Sequence, residues 1–219
     1  METTKQVYTA IDYAKFILAI LVVGIHTEPF GFNFWLDKGF GIITRLCVPF
    51  FFVCSSFFFF IKGKDKNAAA YLKRITLLFL IWSLVYLPFD LDLLSGKDVW
   101  EVISYYWWLG PRHALWYLSG SIIGFVFLIS SLKVIKSKYV LALSFLILII
   151  GCIITTYTPL IERLLLTTVN NTSDCRNGLF YAFPYMALGM MIATSSRFSE
   201  FAQCKTMKLC KLGAGGGIL

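Results

Sequence analysis

Asp12, Lys15 and His26 bracket an uninterrupted apolar run, Phe16 to Ile25. Their spacing puts them on one side of a helix. At ~100° per residue, the eleven steps from Lys15 to His26 return to within ~20° of the same face. Asp12, Lys15, Ala19, Val22 and His26 then form a narrow stripe, with Lys15 and His26 ~16 Å apart along the axis. His is the natural proton acceptor of the set, because its ordinary pKa of ~6.5 lies near operating pH. Ten apolar residues are too few to cross a bilayer, which takes ~20 in a helix. A spanning helix must therefore draw these polar groups to the membrane boundary or inside it, where ionisable residues are functional candidates by default. The plainer reading pairs Asp12 with Lys15 at i,i+3, lets both snorkel, and makes His26 an interfacial anchor.

The elements that would hold this stripe are membrane helices. The composition is 58% hydrophobic and only 15% charged, with a mean hydropathy of +0.74. Soluble domains are ~45–50% apolar and ~25% charged, so this pattern is that of an all-α, polytopic membrane protein. The expected spans are the first helix, Phe40–Ile61, 73–88, Ala114–Leu132, Tyr139–Tyr157 and a shorter Gly178–Ala193, which makes about six by the length criterion. The segment 90–112 reads as an acidic, aromatic loop, and 158–177 as a polar loop with a short helix near 160–165. The six cysteines show no metal spacing, and no metal site is expected. The net charge of +8 does not call for nucleic acid. Counted loop by loop, thirteen Lys and Arg fall on one side and five on the other. With the basic side inside, the N-terminus is cytoplasmic, Lys15 lies toward the inner leaflet and His26 toward the outer.

Beyond the first helix, further chemistry-bearing residues stand at span boundaries. Arg45 interrupts an apolar run, where a cation costs ~2.5–3.5 kcal/mol on insertion scales and so needs a partner. Lys73 and Arg74 open a span, while His113 and Trp116 begin another.

Taken in order, five stretches resemble the bacterial integral-membrane O-acyltransferases of the type-three family, which modify cell-surface glycans. Lys15 and His26 match that family's basic residue, ten residues, then His. R-L-C-V-P-F-F-F-V-C-S-S-F (Arg45 to Phe57) is similar to its V-P-F-F-F-x-x-S-G-F block, with Ser56 in place of Gly. Y-L-K-R-I (Tyr71 to Ile75), H-A-L-W-Y-L (His113 to Leu118) and R-N-G-L-F-Y-A-F-P-Y-M-A-L-G (Arg176 to Gly189) complete the set. The basic entry to the third helix departs from the pattern, since Leu77 stands where a second Arg is usual.

The resemblance implies transfer of an acyl group, acetyl above all, from a cytoplasmic acyl-coenzyme A to a hydroxyl of an external glycan or envelope acceptor. The implied setting is a multi-pass protein of the bacterial cytoplasmic membrane, with acyl-CoA as a substrate and no resident cofactor. His26 is then expected to act as general base, with Lys15 placing its helix or binding donor. Lys73 and Arg74 are expected to meet the donor's phosphates, though the positive-inside rule alone explains them too. Asp12, Arg45, His113, Trp116 and Arg176 are expected around the substrates. The family has about ten spans, so residues 1–219 read as a single domain incomplete at its C-terminus. Two other readings stay open. One is a transporter of small solutes or lipid-linked sugars, although no repeated halves are visible; the other is an inactive remnant. The oligomeric state is not legible.

Overall fold

The computed structural model describes residues 8–27, 34–62, 67–94, 96, 98–108, 115–157 and 177–195. The described residues are helical throughout and hold no strand, as the composition requires. In order they form α1 (Thr9–Thr27), α2 (Phe34–Thr44), α3 (Cys47–Phe60), α4 (Ala68–Leu94), α5 (Val99–Trp108), α6 (Trp116–Val134) and α7 (Ser137–Thr156). A π-helical turn, Gly178–Ala182, then runs directly into α8 (Phe183–Thr194). Four stretches among the described residues are long and apolar enough to cross a membrane: Lys38–Phe60, Ala68–Asp90, Trp116–Val134 and Ser137–Thr155. Gly178–Thr194 is a shorter apolar helix, as its sequence suggests.

The chain divides into two compact units, Met1–Phe51 with Ile192–Leu219, and Phe52–Met191. In the first unit the carbonyl of Tyr8 accepts from the amides of Ile11 and Asp12, starting α1 before its first polar side chain. Burial pushes the Tyr8 phenol above its ordinary pKa. α1 lies against α2 through Gly24. A Cβ at that position would come within 2.6 Å of the Phe40 ring, so a larger residue there would require that ring to shift.

The second unit is organised around α6. Its buried side carries Ser119, Gly120, Ser121, Ile122, Gly124, Phe125 and Leu128. The π-helical turn sits on this side, where a Cβ at Gly124 would meet the Phe183 amide and the Ala182 side chain at 2.9 Å. Asn177 starts the turn, its side-chain oxygen accepting from the Leu179 and Phe180 amides. Two of the amides that have no intrahelical partner at a helix start are thereby satisfied. Phe52 from α3 and Phe183 from α8 are fully enclosed, together with Phe125, Leu128 and Met186. Burial of side chains this large contributes ~1.5–3 kcal/mol each.

The second span carries the interruption expected at Arg45, a turn at Arg45–Leu46 between α2 and α3 within the apolar stretch Lys38–Phe60. Two elements differ from the expectation. The third span does not stop at Pro88, and α4 continues to Leu94 with the proline inside it. Proline removes one backbone hydrogen bond but does not forbid helix on its far side. The segment expected as a loop over 90–112 contains α5, whose Trp107 packs edge-on against Phe79 of α4 at 5.9 Å. An isolated ten-residue helix is marginal in water, so α5 depends on contacts of this kind. The expected helix near 160–165 and the Gly-rich end of the chain lie outside the described residues.

Candidate functional site

α1 delivers the stripe expected of it. The Lys15 ammonium and the Asp12 carboxylate form an ion pair at 2.6 Å, one helical turn apart. Lys15 is the better covered of the two, at 34% exposure against 57% for Asp12. The pair fixes where the ammonium sits on α1, an arrangement suited to anchoring or anion binding. His26 lies in the last turn of α1 and is exposed. Just beyond it, the Thr27 hydroxyl turns back onto the carbonyls of Val23 and Gly24 at 3.3 Å, closing the helix end. The cation and the imidazole therefore stand at opposite ends of one helical face, ~16 Å apart by helix rise.

Arg45 occupies the turn between α2 and α3 and is exposed. On either side of it, Thr44 and Cys47 are buried. Lys73 and Arg74 lie in the second turn of α4, both exposed. Trp116 is the first residue of α6. Its ring meets Phe52 at 6.2 Å and Tyr181 at 5.8 Å, both edge-on. His113 and Arg176, the remaining expected site residues, lie outside the described residues.

The second unit also holds polar groups that the sequence reading did not single out. The Ser55 hydroxyl on α3 is hydrogen-bonded to the Tyr71 hydroxyl on α4. The Tyr71 ring is flanked by Phe125 at 4.3 Å and Phe59 at 5.4 Å. Tyr117 stacks on Phe52 at 4.7 Å, and the Ser121 hydroxyl donates to the Tyr117 carbonyl at 2.7 Å. Asp90, near the end of α4, is fully buried. Ser56, the residue standing where the resembled block has glycine, buries its hydroxyl with no protein partner. A signal for the Ser55–Tyr71 pair was present, since both residues fall inside the quoted blocks. Nothing in one sequence says that they meet. Among the described residues no cluster of three His, Cys, Asp or Glu could hold a metal ion.

The similar proteins are longer than this chain. An amino-acid racemase of Enterococcus faecalis is 30% identical over 213 residues, covering 88% of this chain but 29% of the relative. A second amino-acid racemase of the same organism is 28% identical, covering 82% of this chain and 28% of the relative. A serine/alanine racemase of Enterococcus gallinarum is 28% identical, with 85% and 29% covered. The chain thus spans less than a third of the length of the curated relatives it matches. No solved structure matches. The acyltransferase-domain signature of the type-three family, by contrast, runs across residues 8–219, from the start of α1 onward. With that match and its membrane-length apolar helices, the chain belongs to this family of membrane acyltransferases.

Proposed function

We propose that the chain carries the acyl-transfer machinery of a bacterial cytoplasmic-membrane enzyme. It moves an acetyl group from a cytoplasmic acyl-CoA-type donor to a hydroxyl of an external glycan or cell-envelope acceptor. The observation that carries this reading is the stripe on α1, in which a carboxylate-paired Lys15 and an exposed His26 share one helical face within the family match. His26 takes the acceptor hydroxyl proton as the oxygen attacks the acyl carbonyl. General bases of this kind contribute ~10²–10⁴ in rate. Lys73 and Arg74, exposed at the start of α4, offer cationic partners to donor phosphates. The thiol of the donor leaves with the proton that His26 took, which returns the imidazole to its neutral form.

The direction assumes a cytoplasmic N-terminus. Reporters fused after Lys66 or Lys136 should then read as cytoplasmic, and one after Asp98 as external. The function is tested in sealed vesicles holding the full protein, with labelled acetyl-CoA on the Lys73 side and a glycan on the other. Label on the glycan supports the reading, and its absence with intact, inserted protein overturns it.

A second reading, translocation of a small solute, draws on the names of the relatives. Proteins that share this portion are racemases of amino acids, and a membrane portion joined to such chemistry can supply its substrate. Amino-acid flux into the same vesicles without covalent change would favour that reading over acyl transfer.

A further inference from the structure

The hairpin that joins α6 to α7 is too short to rise clear of a membrane. Its two membrane-length stretches are Trp116–Val134 and Ser137–Thr155, so only Ile135 and Lys136 lie between them. The turn closes on its own backbone. Ile135 donates its amide to the Ser131 carbonyl, and Tyr139 and Val140 donate theirs to the Lys136 carbonyl. Lys133, Lys136 and Lys138 are all exposed at this tip. Two spanning helices joined so tightly hold these lysines at the boundary between hydrocarbon and water, the level of the headgroups.

The charge of the tip is not balanced from within. No Asp or Glu occurs between Glu101 and Glu162, and the first turn of α7 holds no acid. Among the described residues none of the three lysines forms an ion pair. Lys133 lies in the last turn of α6, whose negative end favours it. Lys136 and Lys138 stand instead at the start of α7, where the helix dipole opposes a cation. The Lys138 ammonium lies over the Tyr139 ring, 4.8 Å from its centroid.

The setting selects the anion that can answer this charge. Val134 is 84% exposed and Tyr139 56%, so the lysines share the tip with apolar and aromatic side chains suited to the interface. A soluble acidic partner would have to reach down into that layer, whereas phospholipid phosphates compose it. A zwitterionic headgroup brings its own cation and leaves the ammoniums uncompensated. An anionic one does not.

We propose that the α6–α7 hairpin is a docking surface for anionic phospholipid headgroups, held by Lys133, Lys136 and Lys138. It shares no residue with the acyl-transfer reading and does not depend on it.

The full chain in neutral detergent would be titrated with phosphatidylglycerol and phosphatidylcholine, with bound lipid read by native mass spectrometry. Phosphatidylglycerol should bind the more tightly. Lys133→Gln, Lys136→Gln and Lys138→Gln should each weaken it about fivefold, and the three together on the order of a hundredfold. Replacing all three by Arg keeps the charges and should keep the affinity. Equal affinity of the unaltered protein and the triple Gln variant for phosphatidylglycerol would overturn the proposal. So would an equal loss on replacing Lys62, Lys73 and Arg74 together by Gln, since net charge and not the hairpin would then set binding. A fall in phosphatidylcholine binding to the same degree would overturn the preference for anionic headgroups. Displacement of the lipid by inorganic phosphate at equal concentration would overturn its lipid source. If the triple Gln variant fails to fold, judged by lost helical circular dichroism, the single variants decide, and unchanged affinity in all three overturns the proposal.

Discussion

The Lys15 ammonium sits 2.6 Å from the Asp12 carboxylate on α1 and shares its helical face with His26. Asp12 holds Lys15 in place, and His26, the proposed general base, stands apart from that pair in the last turn of the same helix.

His26→Ala should abolish acyl transfer while membrane insertion and abundance are unchanged. The loss expected of a general base is ~10²–10⁴ in rate, well beyond the few-fold effect of a displaced anchor. Turnover of label from acetyl-CoA to glycan, at matched protein levels, is the measurement. Near-normal transfer by the variant would return His26 to the role of interfacial anchor.

Lys15→Arg should retain much of the activity, because the cation and its pairing with Asp12 survive. Lys15→Ala should impair it, chiefly through a raised KM for donor or a misplaced helix. Asp12→Asn should fall between the two. Steady-state kinetics on the three variants would test this order, and a kcat collapse in Lys15→Arg would show that the lysine does more than anchor.

Ser55→Ala and Tyr71→Phe should couple. Each removes one end of the hydroxyl pair joining α3 to α4, and hydrogen bonds between membrane helices average ~0.6 kcal/mol with a maximum near 1.7. A double-mutant cycle on detergent-solubilised protein should therefore give a coupling of about that size. Strict additivity would show that the two hydroxyls contribute independently.

Gly124→Val should be among the most damaging substitutions in α6. Its added carbons would meet the Phe183 amide and the Ala182 side chain, already at 2.9 Å from a single Cβ. Overpacking of this kind costs ~1–3 kcal/mol. The measurement is the midpoint of thermal unfolding, with Val126→Ala on the exposed side of the same helix as the control. An equal effect at the two positions would contradict the packing described.

Fold class was legible because hydropathy and length speak directly to membrane helices, and the Asp12–Lys15 pair because i,i+3 neighbours meet on any helix. Arg45 announced the break between α2 and α3, since a charge inside an apolar run is costly enough to need a cause. α5 was missed for a physical reason. Its ten residues form a helix through contacts such as Phe79 with Trp107, which local pattern does not encode. Asp90 was missed in a related way, because Pro88 two residues earlier read as the end of the span while the helix ran on and buried the carboxylate. The Ser55–Tyr71 pair joins residues sixteen apart, and nothing short of the fold could show that they touch.

Pro88 has a mechanical consequence for α4. A proline donates no amide hydrogen, so the Leu84 carbonyl one turn earlier loses its ladder partner. The stretch from Phe89 to Leu94 is therefore joined to the rest of the helix by a softened joint. Two residues past that joint, Asp90 is fully buried while its neighbour Phe89 is exposed. Beyond that joint, the buried carboxylate of Asp90 is a point at which the far end of α4 is seated. In engineering terms α4 is a rod with a pin-jointed tip, and Asp90 is the pin.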